Sequence, residues 1–173
     1  MTRAVLSLGS NLGDRLDHLR SAVTGLGDAV VAVSPVYETA PWGGVAQPDF
    51  LNAVIVVADD GVDAWGWLAR AHELEAAAHR VRDVRWGPRT LDVDIVTVDG
   101  VTSDHPDLLL PHPGTPSRAT VLAPWLDVEP DAVLPGHGPI VDILATLDMT
   151  GVVRRDDLTL GHGGGTGATD QGA

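Results

Sequence analysis

Residues 90–98, Thr-Leu-Asp-Val-Asp-Ile-Val-Thr-Val, alternate apolar and polar side chains along most of their length. A period of two is typical of a half-buried β-strand. In a strand, Asp92 and Asp94 project from one face of the sheet, while the apolar residues beside them enter the other. The stretch therefore predicts a strand with one buried apolar face and two neighbouring carboxylates on its opposite face.

The segments before this strand complete a regular order of strands and helices, read from apolar periodicity and Gly/Pro-rich breaks. The predicted elements are a strand at 4–8, a helix capped by Ser10 or Asn11 and reaching Leu26, a strand at 30–37, a loop at 38–49, a strand at 50–57, a helix at 62–79 and the strand at 90–98. This β-α-β-β-α-β order predicts an α+β, ferredoxin-like fold. Its antiparallel sheet carries both helices on one face and leaves the opposite face for loops or ligands.

The C-terminal third is a proline-rich extension of this core. Short helices are predicted at 117–123 and 139–148, where they would pack on the core. The last residues, 161–173, are rich in glycine and have little apolar surface to bury, which predicts a disordered tail. At 173 residues the chain has the size of one domain, expected to span 1–160.

Composition excludes several classes of chemistry. The chain has no cysteine, which excludes disulfides, thiolate nucleophiles and cysteine-ligated metal centres. All 11 basic residues are arginine, so P-loop phosphate binding and Schiff-base catalysis lack the lysine they need. A net charge of -13 opposes broad contact with nucleic acid or an anionic membrane. The lack of a long apolar span or a signal peptide predicts a cytoplasmic location.

The charges around the two carboxylates match what a phosphate site requires. Carboxylates two residues apart repel each other, and magnesium relieves that repulsion by binding them together with substrate phosphate oxygens. Four guanidinium groups, which bind phosphate oxygens bidentately, precede them within ten residues: Arg80, Arg82, Arg85 and Arg89. The pattern predicts a magnesium–polyphosphate site. The alternative is a solvated edge strand beside a solvated loop.

Aromatic and amide side chains near this region suggest a site for a planar heterocycle. Trp42 and Trp86 would stack on such a ring, with a core position as the alternative for Trp86. Asn52 lies two residues after Phe50, so both share one strand face, and the amide matches the edge of a heterocycle. His112, held between two prolines, is interpreted as a phosphate or ribose ligand or as a structural histidine.

Four motifs together resemble the 6-hydroxymethyl-7,8-dihydropterin pyrophosphokinase family: GSNLGDR at 9–15, YETAPWG at 37–43, QPDFLNAV at 47–54 and RWGPRTLDVDI at 85–95. The resemblance covers residues 3–150. It implies the same ferredoxin-like fold and the transfer of the β,γ-diphosphate of ATP to the pterin hydroxymethyl group, with release of AMP, in folate biosynthesis. Because the attacking hydroxyl belongs to the substrate, the chain needs no nucleophile of its own.

The resemblance also implies roles for individual residues. Asp92 and Asp94 would hold two magnesium ions and act in catalysis with Arg80 and Arg89. ATP would contact Arg80, Arg82, Arg85, Arg89, Ile95, His112 and Arg118, and the pterin would contact Thr39, Ala40, Trp42, Phe50, Asn52 and Trp86. Loops 38–49 and 80–89 would close over the two substrates. The chain would act as a monomer, without a nucleic-acid or membrane partner.

Two positions depart from the family pattern. Thr120 stands where a phenylalanine would stack on the pterin opposite Trp86, and His72 stands where many relatives have a glutamine near the nucleotide. The first departure motivates one alternative, a catalytically weakened paralogue that binds a pterin or a nucleotide. Another magnesium-dependent transferase that uses a D-x-D pair is a second alternative. A third treats the Arg/Trp loop as an RNA contact, against which the net charge weighs.

Overall fold

A central antiparallel sheet with helices on both faces forms the core of the computed structural model, which describes residues 2–41, 46–78 and 90–161. The elements in chain order are β1 (Thr2–Ser10), α1 (Arg15–Leu26), β2 (Val30–Val33), β3 (Val36–Thr39), β4 (Phe50–Asp59), α2 (Ala64–Ala77), β5 (Asp92–Val98), β6 (Ser103–His105), β7 (Leu108–Leu110), α3 (Ala119–Val128), β8 (Val133–Leu134), β9 (Gly138–Pro139), α4 (Ile140–Ala145) and β10 (Val152–Arg155). Short 3-10 turns lie at Gly27–Ala29 and Thr115–Ser117.

The main sheet runs in the order β10-β3-β4-β1-β5, and β2 also pairs with β4. Every pairing in it is antiparallel. β1 lies inside the sheet, where its register places Gly9 opposite Asn52 of β4 on one side and Asp92 of β5 on the other. The predicted α+β architecture with an antiparallel sheet is confirmed.

Two hydrophobic clusters lie on opposite faces of the sheet, because successive strand residues point to opposite sides. Leu6 belongs to the cluster that α1 and α2 cover, whereas its neighbour Val5 packs with Leu122 and Trp125 of α3. α4 contributes buried Ile140 to the second cluster. The expectation that one face stays open for loops or ligands is therefore wrong over the part that α3 and α4 cover. The second face is valine-rich, and α3 supplies the apolar surface that removes it from water.

Several boundaries differ from the sequence prediction. The predicted strand at 30–37 is two strands separated at Ser34 and Pro35, and both pair with β4. Proline has no N–H to donate to a sheet ladder, whereas Ser34 still bonds Val54 through its backbone and its hydroxyl. α1 begins later than predicted because β1 continues to Ser10. Its N-cap is Asp14, whose carboxylate accepts the backbone N–H of Asp17 at 3.1 Å.

The C-terminal extension contains five strands that the sequence did not predict, β6 to β10, and the last of them joins the main sheet. β10 pairs with β3, with Val152 opposite Thr39 and Arg155 opposite Val36. Beyond it, Leu160 is buried in the first cluster. Of the predicted tail only Gly161 belongs to the described residues, and 162–173 lie outside them. Among the helices of the described ranges, none is long and apolar enough to cross a membrane.

Tyr37, the single tyrosine of the chain, anchors β3 to α3. Its hydroxyl donates a hydrogen bond of 2.5 Å to Asp127 Oδ2. Burial, followed by the hydrogen bond and the negative charge of Asp127, raises the pKa of Tyr37 from 10.0 to about 12. The folded state therefore favours the protonated phenol. The stability that this preference contributes is fully present below the pKa of the unfolded state, about 10, and is lost as the pH rises to about 12.

We expect the ultraviolet absorbance of the phenolate to appear in the folded protein with a midpoint near pH 12. Tyr37→Phe should remove this signal. It should also flatten the fall in the free energy of unfolding between about pH 10 and 12, measured by chemical denaturation. A midpoint near that of free tyrosine would contradict the contact with Asp127.

Candidate active site

A row of side chains crosses three strands of the sheet on one face. The register places Asp92 opposite Gly9 and Gly9 opposite Asn52, so these residues lie side by side, and Asp94 follows two positions along β5. Gly9 keeps the row open. A Cβ atom there would lie 3.0 Å from Asn52 Nδ2 and 3.5 Å from Phe50 Cδ1. Space between the amide and the carboxylates therefore depends on this glycine.

The alternation predicted for β5 is confirmed. Val93 and Ile95 are buried, whereas Asp92 and Asp94 are half-buried on the opposite face of this edge strand. Arg118 reaches the pair, with Nη1 3.9 Å from Asp94 Oδ2. Within the described ranges, no cluster of three or more metal-binding side chains occurs. Two carboxylates on one strand face still fit magnesium, which completes its coordination with phosphate oxygens and water.

Two cavities meet at these carboxylates. The first has a volume of about 360 Å³ and the second about 200 Å³, and both are lined by Asp92, Asp94 and Arg118. The other walls come from different elements. The first cavity is bounded by α2 and the 106–113 segment, and the second by β1, β3, β4 and the start of α3. The carboxylates thus stand between two compartments.

The residues predicted to bind the two substrates divide between these two cavities. Ile95, His112 and Arg118 line the first cavity, together with Leu68 and His72 of α2. Thr39, Ala40, Phe50 and Asn52 line the second, together with Thr120. The remaining predicted site residues lie outside the described residues: Arg80, Arg82, Arg85, Arg89, Trp42 and Trp86. Residues 42–45 of the predicted closing loop 38–49, and all residues of the second predicted closing loop, 80–89, also lie outside the described residues.

The amide of Asn52 is held in a defined orientation at the wall of the second cavity. Thr39 Oγ1 donates a hydrogen bond of 2.5 Å to Asn52 Oδ1, and Asn52 Nδ2 lies 3.4 Å from the backbone oxygen of Leu8. Thr39 itself is buried. A side chain fixed in this way presents its donors and acceptors without a further loss of rotamer freedom when a ligand binds.

His112 lines the first cavity as a neutral hydrogen-bond donor. Its Nδ1 accepts the backbone N–H of Gly114 at 3.3 Å, which leaves Nε2 as the nitrogen that carries the proton. Burial and the positive charge of Arg118 lower the pKa of His112, although the negative charge of Asp92 opposes them. A neutral imidazole with its N–H at Nε2 can donate to an anionic oxygen.

Comparison with known proteins identifies the family. The family model described as 7,8-dihydro-6-hydroxymethylpterin-pyrophosphokinase (HPPK) matches residues 5–130. The chain belongs to the HPPK family. Relatives named 2-amino-4-hydroxy-6-hydroxymethyldihydropteridine pyrophosphokinase include one from Mycobacterium leprae, 53% identical over 176 residues, which covers 92% of each chain. The Mycobacterium tuberculosis relative is 51% identical, covering 86% of this chain and 85% of its own. The Pseudomonas aeruginosa relative is 36% identical, covering 88% and 96% respectively.

Solved structures share the fold of this HPPK chain at low sequence identity. A crystal structure of HPPK-DHPS in complex with substrates has a TM-score of 0.65 at 12% identity and covers 84% of this chain. The Plasmodium falciparum HPPK-DHPS structure with pteroate has the same TM-score at 14% identity. The match covers 43% and 44% of those chains, so this HPPK chain spans less than half of their length.

One residue of the candidate site was missed by the sequence reasoning. Glu75 of α2 is buried, lines the first cavity and accepts the backbone N–H of Val93 at 3.1 Å through Oε2. It therefore joins the helix to the strand that carries both aspartates. A signal was present in the sequence, because Glu75 follows Trp67 and Ala71 at helical spacing on the buried face of α2. A carboxylate on an apolar stripe needs a hydrogen-bonding partner.

Proposed function

We propose that this chain transfers diphosphate across Asp92 and Asp94, from ATP in the first cavity to 6-hydroxymethyl-7,8-dihydropterin in the second. Membership of the HPPK family makes the chain an ATP-dependent diphosphotransferase of folate biosynthesis. The observation that supports this assignment of the site is that two cavities with different walls share the same two carboxylates. A donor and an acceptor bound on either side would meet there.

The residues of each cavity suit its proposed occupant. In the first, His112 and Arg118 offer an N–H donor and a guanidinium to phosphate oxygens, while Ile95 and Leu68 supply apolar contact. In the second, Asn52 would read the pterin edge and Phe50 would contact its face. Thr39 and Ala40 complete that wall. The roles of Arg80, Arg82, Arg85, Arg89, Trp42 and Trp86 stay predictions from the family resemblance.

Catalysis would rest on position and charge. Asp92 and Asp94 would hold two magnesium ions, whose chemistry when bound is to neutralise charge on the transferring phosphate oxygens. Arg118 lines both cavities and would place its guanidinium beside the transferring group. The fixed amide of Asn52 would orient the pterin so that its hydroxyl oxygen faces the diphosphate.

Incubation with ATP, magnesium and 6-hydroxymethyl-7,8-dihydropterin, followed by separation of the nucleotides, tests this function. AMP should form in amounts equal to the pterin diphosphate, and omission of the pterin should stop its formation. ADP as the product would instead indicate transfer of a single phosphoryl group. Relatives of 42–53% identity are named as pyrophosphokinases, so the catalytically weakened paralogue is not favoured.

Thr120 offers a prediction within the second cavity. It lines that cavity where the family resemblance implies an aromatic ring, so Thr120→Phe would add a face for the pterin to stack on. We expect the variant to lower the KM for the pterin by about fivefold without changing the KM for ATP. Thr120→Val is the matched control, because it keeps the size of the side chain and adds no ring. A raised pterin KM in the phenylalanine variant would show that the wall is already complete.

Further features of the prediction remain proposals. We infer that β2 and β3 together represent one strand of the ferredoxin-like order, so that β10 is an addition to that core. Residues 1–160 would form one pyrophosphokinase domain. A monomeric state, a cytoplasmic location and the lack of nucleic-acid and membrane partners stay predictions.

A further inference from the structure

Arg15, in the first turn of α1, links two strand ends that form the wall of the second cavity. Its Nη1 donates to Glu38 Oε2 at 2.7 Å and to the backbone oxygen of Asp49 at 3.0 Å. Glu38 belongs to β3, and Asp49 directly precedes β4. One guanidinium therefore spans the gap between the end of one strand and the start of the next.

A second arginine holds the same carboxylate from the other side. Arg155 of β10 donates from Nη1 to Glu38 Oε1 at 3.2 Å and is itself bonded to Asp157. The side chains of Arg15 and Glu38 retain 30% and 26% of their full exposure, so water and salt screen their interaction less than that of a fully exposed pair. Glu38 is thus fixed between α1 and the C-terminal strand.

Strand geometry connects this pair to the cavity on the opposite face of the sheet. Glu38 and Thr39 are consecutive, so their side chains point to opposite faces. Thr39 is paired with Phe50 and donates to the amide oxygen of Asn52 at 2.5 Å. A shift of the β3 end at Glu38 would therefore move the Thr39 hydroxyl relative to Asn52.

We infer that Arg15 and Glu38 are positioning residues for the pterin. They hold the end of β3 and the start of β4 at the separation at which Thr39, Phe50 and Asn52 form one wall. This inference rests on the proposed pterin site. Neither Arg15 nor Glu38 lines either cavity itself, but the wall that they hold belongs to the second cavity and not to the first, so their effect should be confined to the pterin and spare ATP.

Steady-state rates of AMP release, with each substrate varied in turn, test this role. Arg15→Ala should raise the KM for the pterin by about fivefold and leave kcat and the KM for ATP within about twofold of wild type. Glu38→Ala should act in the same direction. If the residues act through their shared contact, the rise in the pterin KM of the double variant should be smaller than the product of the two single effects, because either change alone already breaks that contact. Arg15→Lys keeps the charge but loses the planar guanidinium, so its pterin KM should lie between those of wild type and Arg15→Ala.

Two controls separate this inference from the function on which it rests. Arg20→Ala alters the same helix, but Arg20 bonds the backbone oxygen of Thr159 and should match wild type. Asn52→Ala removes a proposed pterin contact and should raise the pterin KM. If Asn52→Ala is impaired while Arg15→Ala equals wild type, the positioning role is overturned and the site stands. If the pterin KM of Asn52→Ala also equals that of wild type, both the proposed pterin site and the positioning role are overturned.

Thermal melting guards against a purely structural explanation. Arg15→Ala removes a half-buried arginine and Arg20→Ala an exposed one, and the two variants should melt within a few degrees of each other. A fall in kcat, together with a rise in both KM values and a lower Tm in Arg15→Ala alone, would show a general structural role. That result would overturn the inference.

Discussion

Replacement of Asp94 by alanine is expected to lower kcat for AMP release by at least about a thousandfold, because it removes a proposed magnesium ligand at the meeting point of the two cavities. The fold should survive the change. Asp94 is half-buried and belongs to the cavity walls, whereas the neighbouring Val93 and Ile95 carry the buried face of β5. Loss of the carboxylate therefore removes charge from the site and no apolar volume from the core.

The measurement is the rate of pterin-dependent AMP formation across a range of magnesium concentrations, with thermal melting to check the fold. Asp92→Ala should behave similarly, and Asp94→Asn, which keeps the shape of the side chain, should be nearly as impaired. Asp99→Ala is the matched control, because this exposed aspartate lies just beyond the end of β5. Magnesium-dependent turnover near that of wild type in Asp94→Ala would refute the assignment of the site.

Arg118→Ala is expected to lower kcat/KM for ATP by about a hundredfold, through loss of a guanidinium beside the proposed position of the transferring group. Arg118 lines both cavities and lies 3.9 Å from Asp94. It is also the N-cap residue of α3, but its side chain makes no capping hydrogen bond. The helix should therefore keep its start without the guanidinium. Arg70→Ala is a suitable control, since Arg70 pairs with Asp59 outside both cavities.

Gly114 allows a test of the position of Arg118 that keeps its charge. A Cβ atom at Gly114 would lie 2.8 Å from Arg118 Nε and 2.9 Å from its Cζ, so Gly114→Ala would displace the guanidinium. The displaced group is the end of a flexible side chain, and the cost to folding should be small. We expect an intermediate loss of kcat/KM, about tenfold. Full activity in Gly114→Ala together with a large loss in Arg118→Ala would show that charge matters and placement does not.

Local patterns in the sequence were sufficient for much of this fold. β5 and the orientation of its carboxylates follow from a period of two, and α2 follows from a long helical stripe. The predicted start of α1 was wrong because Ser10 and Asn11, which are residue types that often cap helices, do not cap this one. Ser10 completes β1, and the side chain of Asn11 donates to the backbone oxygen of Pro48 at 3.0 Å. Capping propensity does not indicate which of several polar residues will cap the helix and which will belong to the preceding strand.

β10 shows the opposite limitation. Its four residues, two valines followed by two arginines, carry too short a pattern to predict a strand. The strand forms because it pairs with the edge of β3 and because Arg155 donates a hydrogen bond to Glu38, a residue more than a hundred positions earlier in the chain. Such a pairing depends on the rest of the sheet being in place.

Residue types and short motifs were enough to predict the family and to nominate the candidate site residues. The carboxylates of Asp92 and Asp94, the amide of Asn52 and the imidazole of His112 are properties of residue types and short spacings, which need no other part of the chain. Three features became evident only in the folded protein: these carboxylates lie between two cavities, α3 covers the second face of the sheet, and Arg15 joins β3 to β4. Each of these features depends on strand register and on contacts between distant segments, which local patterns do not encode.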